Sequence, residues 1–166
     1  MEVLQTNPLL AISPLDGRYR DKCEELAPYF SEFGLMRYRI LVEIRWLQKL
    51  AATDSITELK EIPSIDKSNL DRLYSEFSIE DAQRIKDIEK ETNHDVKAVE
   101  YFIKEKLKDQ KSLQVHLEFV HFACTSEDIN NLAYALMLKE ARDKVMLIAM
   151  EELINHLATM AKEFSN

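Results

Sequence analysis

Glycine and proline are scarce in this chain, and the place where they stop is informative. There are two glycines and four prolines in 166 residues. They are Pro8, Pro14, Gly17, Pro28, Gly34 and Pro63, so neither occurs between Ser64 and Asn166. A helix interior disfavours glycine by about 1 kcal/mol and proline by about 3 relative to alanine. Their absence leaves the second part of the chain open to long helices, and no strand-like alternation competes there. The chain therefore reads as all-α.

Cysteine is equally sparse. Cys23 and Cys124 are the only two and form no Cys-x-x-Cys pair, which argues against a disulfide framework or a structural zinc site. Positive charge is in deficit, with 22 Lys and Arg against 30 Asp and Glu, a formal net charge of -8. A general nucleic-acid or anionic-membrane binder needs clustered positive charge, so both classes are disfavoured. A local basic site for a phosphorylated metabolite remains compatible. No apolar run approaches the roughly 20 residues that span a bilayer. The N-terminal MEVLQTNPLLAISPLDG has neither a basic n-region nor a long apolar h-region, so no secretory signal is expected. A reducing compartment, most simply the cytoplasm, is the expected location. Also missing are a glycine-rich phosphate loop, a nucleophile elbow, a metal-ligand cluster and a dinucleotide fingerprint.

What is present is a chain 46% hydrophobic and 31% charged, the balance of a globular protein of one domain or slightly more. Helices are expected near 21–30, 32–52, 67–77, 79–91, 94–109, 112–123 and 126–164. Leu35, Tyr38, Ile40, Leu41, Ile44, Leu47 and Leu50 give the second a broad apolar face. Val96, Val99, Ile103 and Leu107 stripe the fifth. The last carries Ile129, Leu132, Leu136, Val145, Ile148 and Leu153 in an unbroken run. At 1.5 Å per residue it would reach about 60 Å, roughly twice the diameter of a small domain. Such a helix calls for partner helices from further chain or other subunits.

Three segments have the residue types of a site. SPLDGRYRD (13–21) sets Arg18 and Tyr19 after Gly17, offering a guanidinium fork and a hydroxyl to phosphate or carboxylate; an ordinary turn with an exposed arginine is the plainer alternative. ETNHDVKAVE (91–100) fits a capping box, with Thr92 as N-cap and Asp95 three residues on. A helix N-terminus attracts anions, and Asn93 and His94 stand at that end. Capping explains Thr92 or Asn93 but leaves His94 without a purpose. HFACTSEDIN (121–130) repeats the arrangement, with Thr125 three residues before Asp128. Thr125 or Ser126 can cap the long helix and leave the other hydroxyl free. On pattern alone, capping is the plainer reading of this junction too.

The other candidates are ordinary. His116 and His121 are five apart, a poor spacing for a shared metal on a helix, though His121 is placed to support the junction. His156 reads as an interface or core histidine, Cys124 as a small packing residue and Trp46 as core. KEKLKDQK (104–111) reads as a solvated helix end.

SPLDGRY, RWLQKLA, TNHDVKAVEYF and FVHFACTSEDINNLAYALMLKEARD together resemble the adenylosuccinate lyases of the bacterial purine-biosynthesis type, in the aspartase/fumarase superfamily. The similarity runs in order from about Ser13 to Lys144. It implies an all-α homotetramer in which long helices from each subunit form a central bundle. Residues 1–111 would be an N-terminal helical domain and 112–166 the truncated start of the bundle domain. The implied chemistry is β-elimination of a C–N bond, giving AMP and fumarate from adenylosuccinate. The same site would release fumarate and AICAR from SAICAR, the succinylated aminoimidazole-carboxamide ribotide. No cofactor or metal is implied. By position, Arg18 and Tyr19 match the family's substrate-binding pair, with phosphate as the contact. Asn93, His94 and Asp95 match its Asn-His-Asp group, and Thr125 with Ser126 its hydroxyl pair near the succinyl part. His94 is cast as a binding and orienting residue.

The departures matter as well. The family's later Thr-His-Gly-Gln-type segment carries the general acid, and its Ser-Ser-x-Met-Pro-x-Lys-type loop carries the base serine. Neither occurs before Asn166. The chain is thus expected to be an N-terminal fragment, inactive alone and without catalytic residues of its own. The alternatives are a non-enzymatic helical assembly module, or another superfamily lyase such as an argininosuccinate lyase or a fumarase.

Overall fold

A computed structural model describes residues 11–165, and among them every regular element is helical. The N-terminal segment read for a secretory signal lies, through residue 10, outside the described residues. After a turn at 12–19 come α1 (Arg20–Cys23), a 3₁₀ turn (Glu24–Leu26) and α2 (Ala27–Phe30). Then follow α3 (Glu32–Ala51), α4 (Ser64–Ser75), α5 (Ile79–Thr92) and α6 (Asp95–Leu107). A 3₁₀ segment (Gln114–Phe119) leads to α7 (Ser126–Ala141), a π-helical turn (Arg142–Met146) and α8 (Leu147–Glu163).

α3 is the axis of the fold. It starts where Ser31 Oγ accepts from the Gly34 N–H at 3.1 Å, an ordinary N-cap. Gly34 is obligatory for a different reason: a Cβ there would meet the Pro28 and Tyr29 carbonyl oxygens at 2.7 Å. Lacking one, α3 tucks directly under α2. Beyond this start, α3 has two apolar faces. Ile40, Ile44 and Leu47 join Leu70, Ile85, Val99, Phe102 and Ile103 in the main core. Tyr38 and Val42 join Val96, Ile129, Ala133 and Met137 in a second cluster beneath α7. A helix buried on two sides packs against both α6 and α7.

The long C-terminal helix forms as expected, with one irregularity. Its continuity from Ser126 to Glu163 is interrupted only by the π turn at 142–146, an extra residue accommodated within a helix. α8 has no buried residue, and Ile148, Met150, Leu153, Ile154 and Leu157 are all more than half exposed. His156, read from the sequence as interface or core, is exposed in this chain.

Besides the helix expected over 21–30, which is split by the 3₁₀ turn at Glu24–Leu26, two local expectations fail. The helix expected over 112–123 is a 3₁₀ segment that stops at Phe119, after which Val120 is extended and His121 and Ala123 have positive φ. Buried anchors override the helical pattern there. Leu113, His116 and Val120 are buried, the His116 Nε2 lies 2.8 Å from the Lys60 carbonyl, and the Trp46 indole N–H donates to the Phe122 carbonyl at 2.8 Å. The capping box expected at Thr92 and Asp95 does not form either. α5 runs on through Thr92, whose hydroxyl donates to the Ile88 carbonyl at 3.1 Å, and the start of α6 moves to His94.

Candidate functional site

The α5–α6 junction is made by two residues of opposite backbone habit. Asn93 closes α5 in the left-handed region (φ 51°, ψ 35°), a conformation asparagine tolerates better than most residues. His94 is extended and caps α6, its Nδ1 accepting the Lys97 backbone N–H at 3.2 Å. An accepting Nδ1 carries no proton, so the neutral ring holds its hydrogen on Nε2. That gives His94 the purpose the sequence left open: it is the cap. Asp95 follows as the first residue of α6. Its carboxylate pairs with Arg39 Nη2 at 2.7 Å. Burial pushes the Asp95 carboxyl up, but the Arg39 charge and the Val96 N–H outweigh it and hold the group below the usual carboxylate range.

The α7 junction follows the sequence expectation. Thr125 is the N-cap and Asp128 completes the box, accepting the Thr125 backbone N–H at 2.7 Å and its hydroxyl at 2.9 Å. Both bonds hold Asp128 below its ordinary range. The Thr125 hydroxyl is therefore committed to the cap. The Ser126 hydroxyl makes no hydrogen bond among the described residues. Just upstream, His121 (φ 63°) and Ala123 (φ 59°) are left-handed. Together with Asn93 they are the positive-φ residues of the described chain, so backbone strain is concentrated at the two junctions.

His121 Nδ1 sits 2.5 Å from Oε1 of Glu43, a side chain with no exposed surface. A carboxylate has no proton to give, so here Nδ1–H is the donor, the reverse of His94. The bond to Glu43 raises the His121 pKa and burial opposes it; the bond prevails. Nearby, Glu100 is buried between Lys97 (2.7 Å) and Lys104 (3.0 Å). Cys124 packs beside this cluster. Burial, Glu43 and Asp128 all push its thiol pKa up, which suits a packing residue and not a nucleophile.

The structure thus brings two of the three sequence segments together. Arg39, 5% exposed, reaches both: Nη2 to Asp95 and Nε to the Asn130 side chain at 2.9 Å. A cavity of about 390 Å³ opens beside the first junction, lined by Glu32, Met36, Arg39, Asn93, His94 and Asp95 among others. Arg18 and Tyr19 lie in the exposed turn before α1, with the guanidinium 4.9 Å from the Tyr19 ring centroid. They form no hydrogen bond or ion pair with either junction. The residues that sequence reading missed are Arg39 and Glu43. Both sit inside an apolar helical stripe, where a charged residue reads as the solvated face. Among the described residues no group of three or more His, Cys, Asp or Glu side chains could hold a metal ion. No helix among them is long and apolar enough to cross a membrane.

Chemically, two helix N-termini with unpaired N–H groups and partial positive charge start from one buried frame. His94 Nε2–H and the Ser126 hydroxyl are donors left over after capping. Such a surface suits an anionic ligand.

Comparison with known proteins shows similarity to lyases. A sequence profile described as "Lyase" matches residues 17–166. A curated adenylosuccinate lyase of Haemophilus influenzae is 53% identical over 161 residues, 97% of this chain and 35% of the relative. Those of Escherichia coli K12 and of Buchnera aphidicola from Schizaphis graminum are 52% and 50% identical, over 97% and 98% of this chain. The chain spans about a third of the length of the curated relatives it matches.

Proposed function

This chain belongs to the lyase family, and on that premise we propose that it is the N-terminal third of an adenylosuccinate lyase. The full-length protein cleaves adenylosuccinate to AMP and fumarate, and SAICAR to AICAR and fumarate, by β-elimination in purine biosynthesis. The observation that carries this reading is identity of about half over nearly the whole chain to proteins of that name.

The site chemistry is consistent with it. The substrate is a polyanion, and loss of the carbon-bound proton before the C–N bond breaks builds further negative charge on a carboxylate. Preorganised donors at helix N-termini stabilise such charge without reorganising. Arg18 and Tyr19 take the phosphate, and Asn93, His94 and Asp95 form one wall. Thr125 and Ser126 take the succinyl end, with Ser126 as the donating hydroxyl because the hydroxyl of Thr125 is held by Asp128. His94 binds through Nε2–H and does not transfer the proton. The general acid and base come from chain beyond Asn166.

The exposed apolar face of α8 is covered by the helices of a central bundle in a homotetramer, with residues 1–111 as a separate N-terminal domain and 112–166 as the start of the bundle. The test is fumarate release from adenylosuccinate, followed by ultraviolet absorbance. The product of the complete open reading frame should be active and residues 1–166 alone inactive. An open frame ending at Asn166, an inactive full-length product, or turnover by the fragment would each refute the reading.

A further inference from the structure

Arg39 and Glu43 lie one turn apart on α3, and opposite charges at that spacing on a helix ordinarily pair with each other. These two do not. Each is more than nine-tenths buried, and each is directed to a different segment: Arg39 to Asp95 and Asn130, Glu43 to His121. A buried ion pair kept only for stability has a poor justification, since an apolar pair of the same volume commonly does as well. Here the charges instead tie three points of the chain to one rigid helix. They are the first residue of α6, the first turn of α7 and the left-handed turn that feeds it.

We propose that Arg39 and Glu43 are positioning residues for the lyase reaction, together holding the two helix starts in register so that their leftover donors converge on one substrate. The proposal rests on the β-elimination reading above. Arg39 sets the spacing, because its guanidinium fork spans Asp95 and Asn130 at once. Glu43 sets the orientation and charge of His121. Glu100 and Lys97 from α6 and Asp128 from α7 also act on His121. Glu100 is already matched by Lys97 and Lys104, which leaves Glu43 as the direct partner of His121.

The test uses the full-length enzyme with Arg39→Lys and Glu43→Gln. Arg39→Lys keeps the charge and loses the fork; Glu43→Gln keeps the shape and loses the charge. Displacement of a catalytic frame by about an ångström costs on the order of 100-fold in rate, and each variant should lose kcat/KM on that scale. In Glu43→Gln alone, the basic limb of the pH profile should move to lower pH, because His121 then loses its proton more readily. A merely structural role would leave that limb in place. Arg39→Lys should leave it unmoved, and Asn130→Ala should reproduce part of the Arg39→Lys loss. Wild-type-like kcat/KM in both variants, or an unmoved limb in Glu43→Gln, would overturn the proposal. If the wild-type enzyme itself fails to cleave adenylosuccinate, the function reading falls separately. The clamp is then read by NMR titration of the His121 ring, which should shift to lower pH in Glu43→Gln and would refute the clamp if it did not.

Discussion

Replacing Asp95 by asparagine should cost more stability than replacing its partner Arg39 by methionine, and the reason is the unequal burial of the two. The Arg39 side chain is 6% exposed and that of Asp95 is 52% exposed. Taking one member from a fully buried pair costs roughly 3–5 kcal/mol, because the other charge is left buried and unmatched. An exposed pair is worth about 0–1 kcal/mol. In Asp95→Asn the stranded group is the buried guanidinium, relieved only by Asn130 and the new amide oxygen. The half-exposed position of the lost carboxylate discounts the cost to about 2 kcal/mol. In Arg39→Met the stranded group is a carboxylate that water can reach, and methionine fills the vacated volume, so the cost falls to about 1 kcal/mol.

The pH dependence follows from the same pair. Asp95 is held below the usual range when folded, so its stabilisation is present above the unfolded value of about 3.9 and is lost as pH falls through the folded value. Urea unfolding followed by far-UV circular dichroism, at one protein concentration, measures both effects. The Asp95→Asn deficit should be full at neutral pH and should shrink at acid pH. An Arg39→Met cost equal to or above that of Asp95→Asn, or a deficit unchanged on acidification, would refute the reasoning.

Gly34→Ala should be strongly destabilising, since its Cβ would press on two backbone carbonyls that no rotamer change can move; the thermal midpoint should fall by several degrees, on the scale of 1 kcal/mol per roughly 2–4 °C. Ala123→Gly should be neutral or stabilising by up to about 1 kcal/mol, because it removes a left-handed alanine, whereas Ala133→Gly in the buried face of α7 should cost about 1 kcal/mol or more. His94→Asn should separate the two uses of that residue. Asparagine caps a helix well, so stability should change little, but the Nε2–H donor is gone, and a full-length enzyme carrying it should bind substrate more weakly.

The sequence exposes the parts of this fold that periodicity governs. The stripe on α3, the stripe on α6 and the long C-terminal helix were all legible because each buries or presents a face at helical spacing. The Thr125 and Asp128 cap was legible because its hydrogen bonds join residues only three apart in sequence. What failed was set by contacts distant in sequence. The 112–123 segment keeps an apolar helical pattern, but anchors at Lys60 and Trp46 outweigh its local preference. The Thr92 cap failed because α5 continues through Thr92 to close on the left-handed Asn93, and a histidine then caps α6 with a ring nitrogen that no composition rule flags.

The same asymmetry explains why the segments carrying the family resemblance are not the whole of the site. Asn93, His94, Asp95, Thr125 and Ser126 lie at chain junctions, where small polar residues stand out against apolar helices. Arg39 and Glu43 are hidden among Tyr38, Ile40, Val42 and Ile44, and only the packing shows that α3 turns two charges toward those junctions. A helix clamped between two cores has little freedom to shift, so what it holds is fixed as firmly as the cores themselves. The precision of the exposed junctions is therefore inherited from the buried helix, and the substitutions most damaging to a ligand there need not touch the ligand at all.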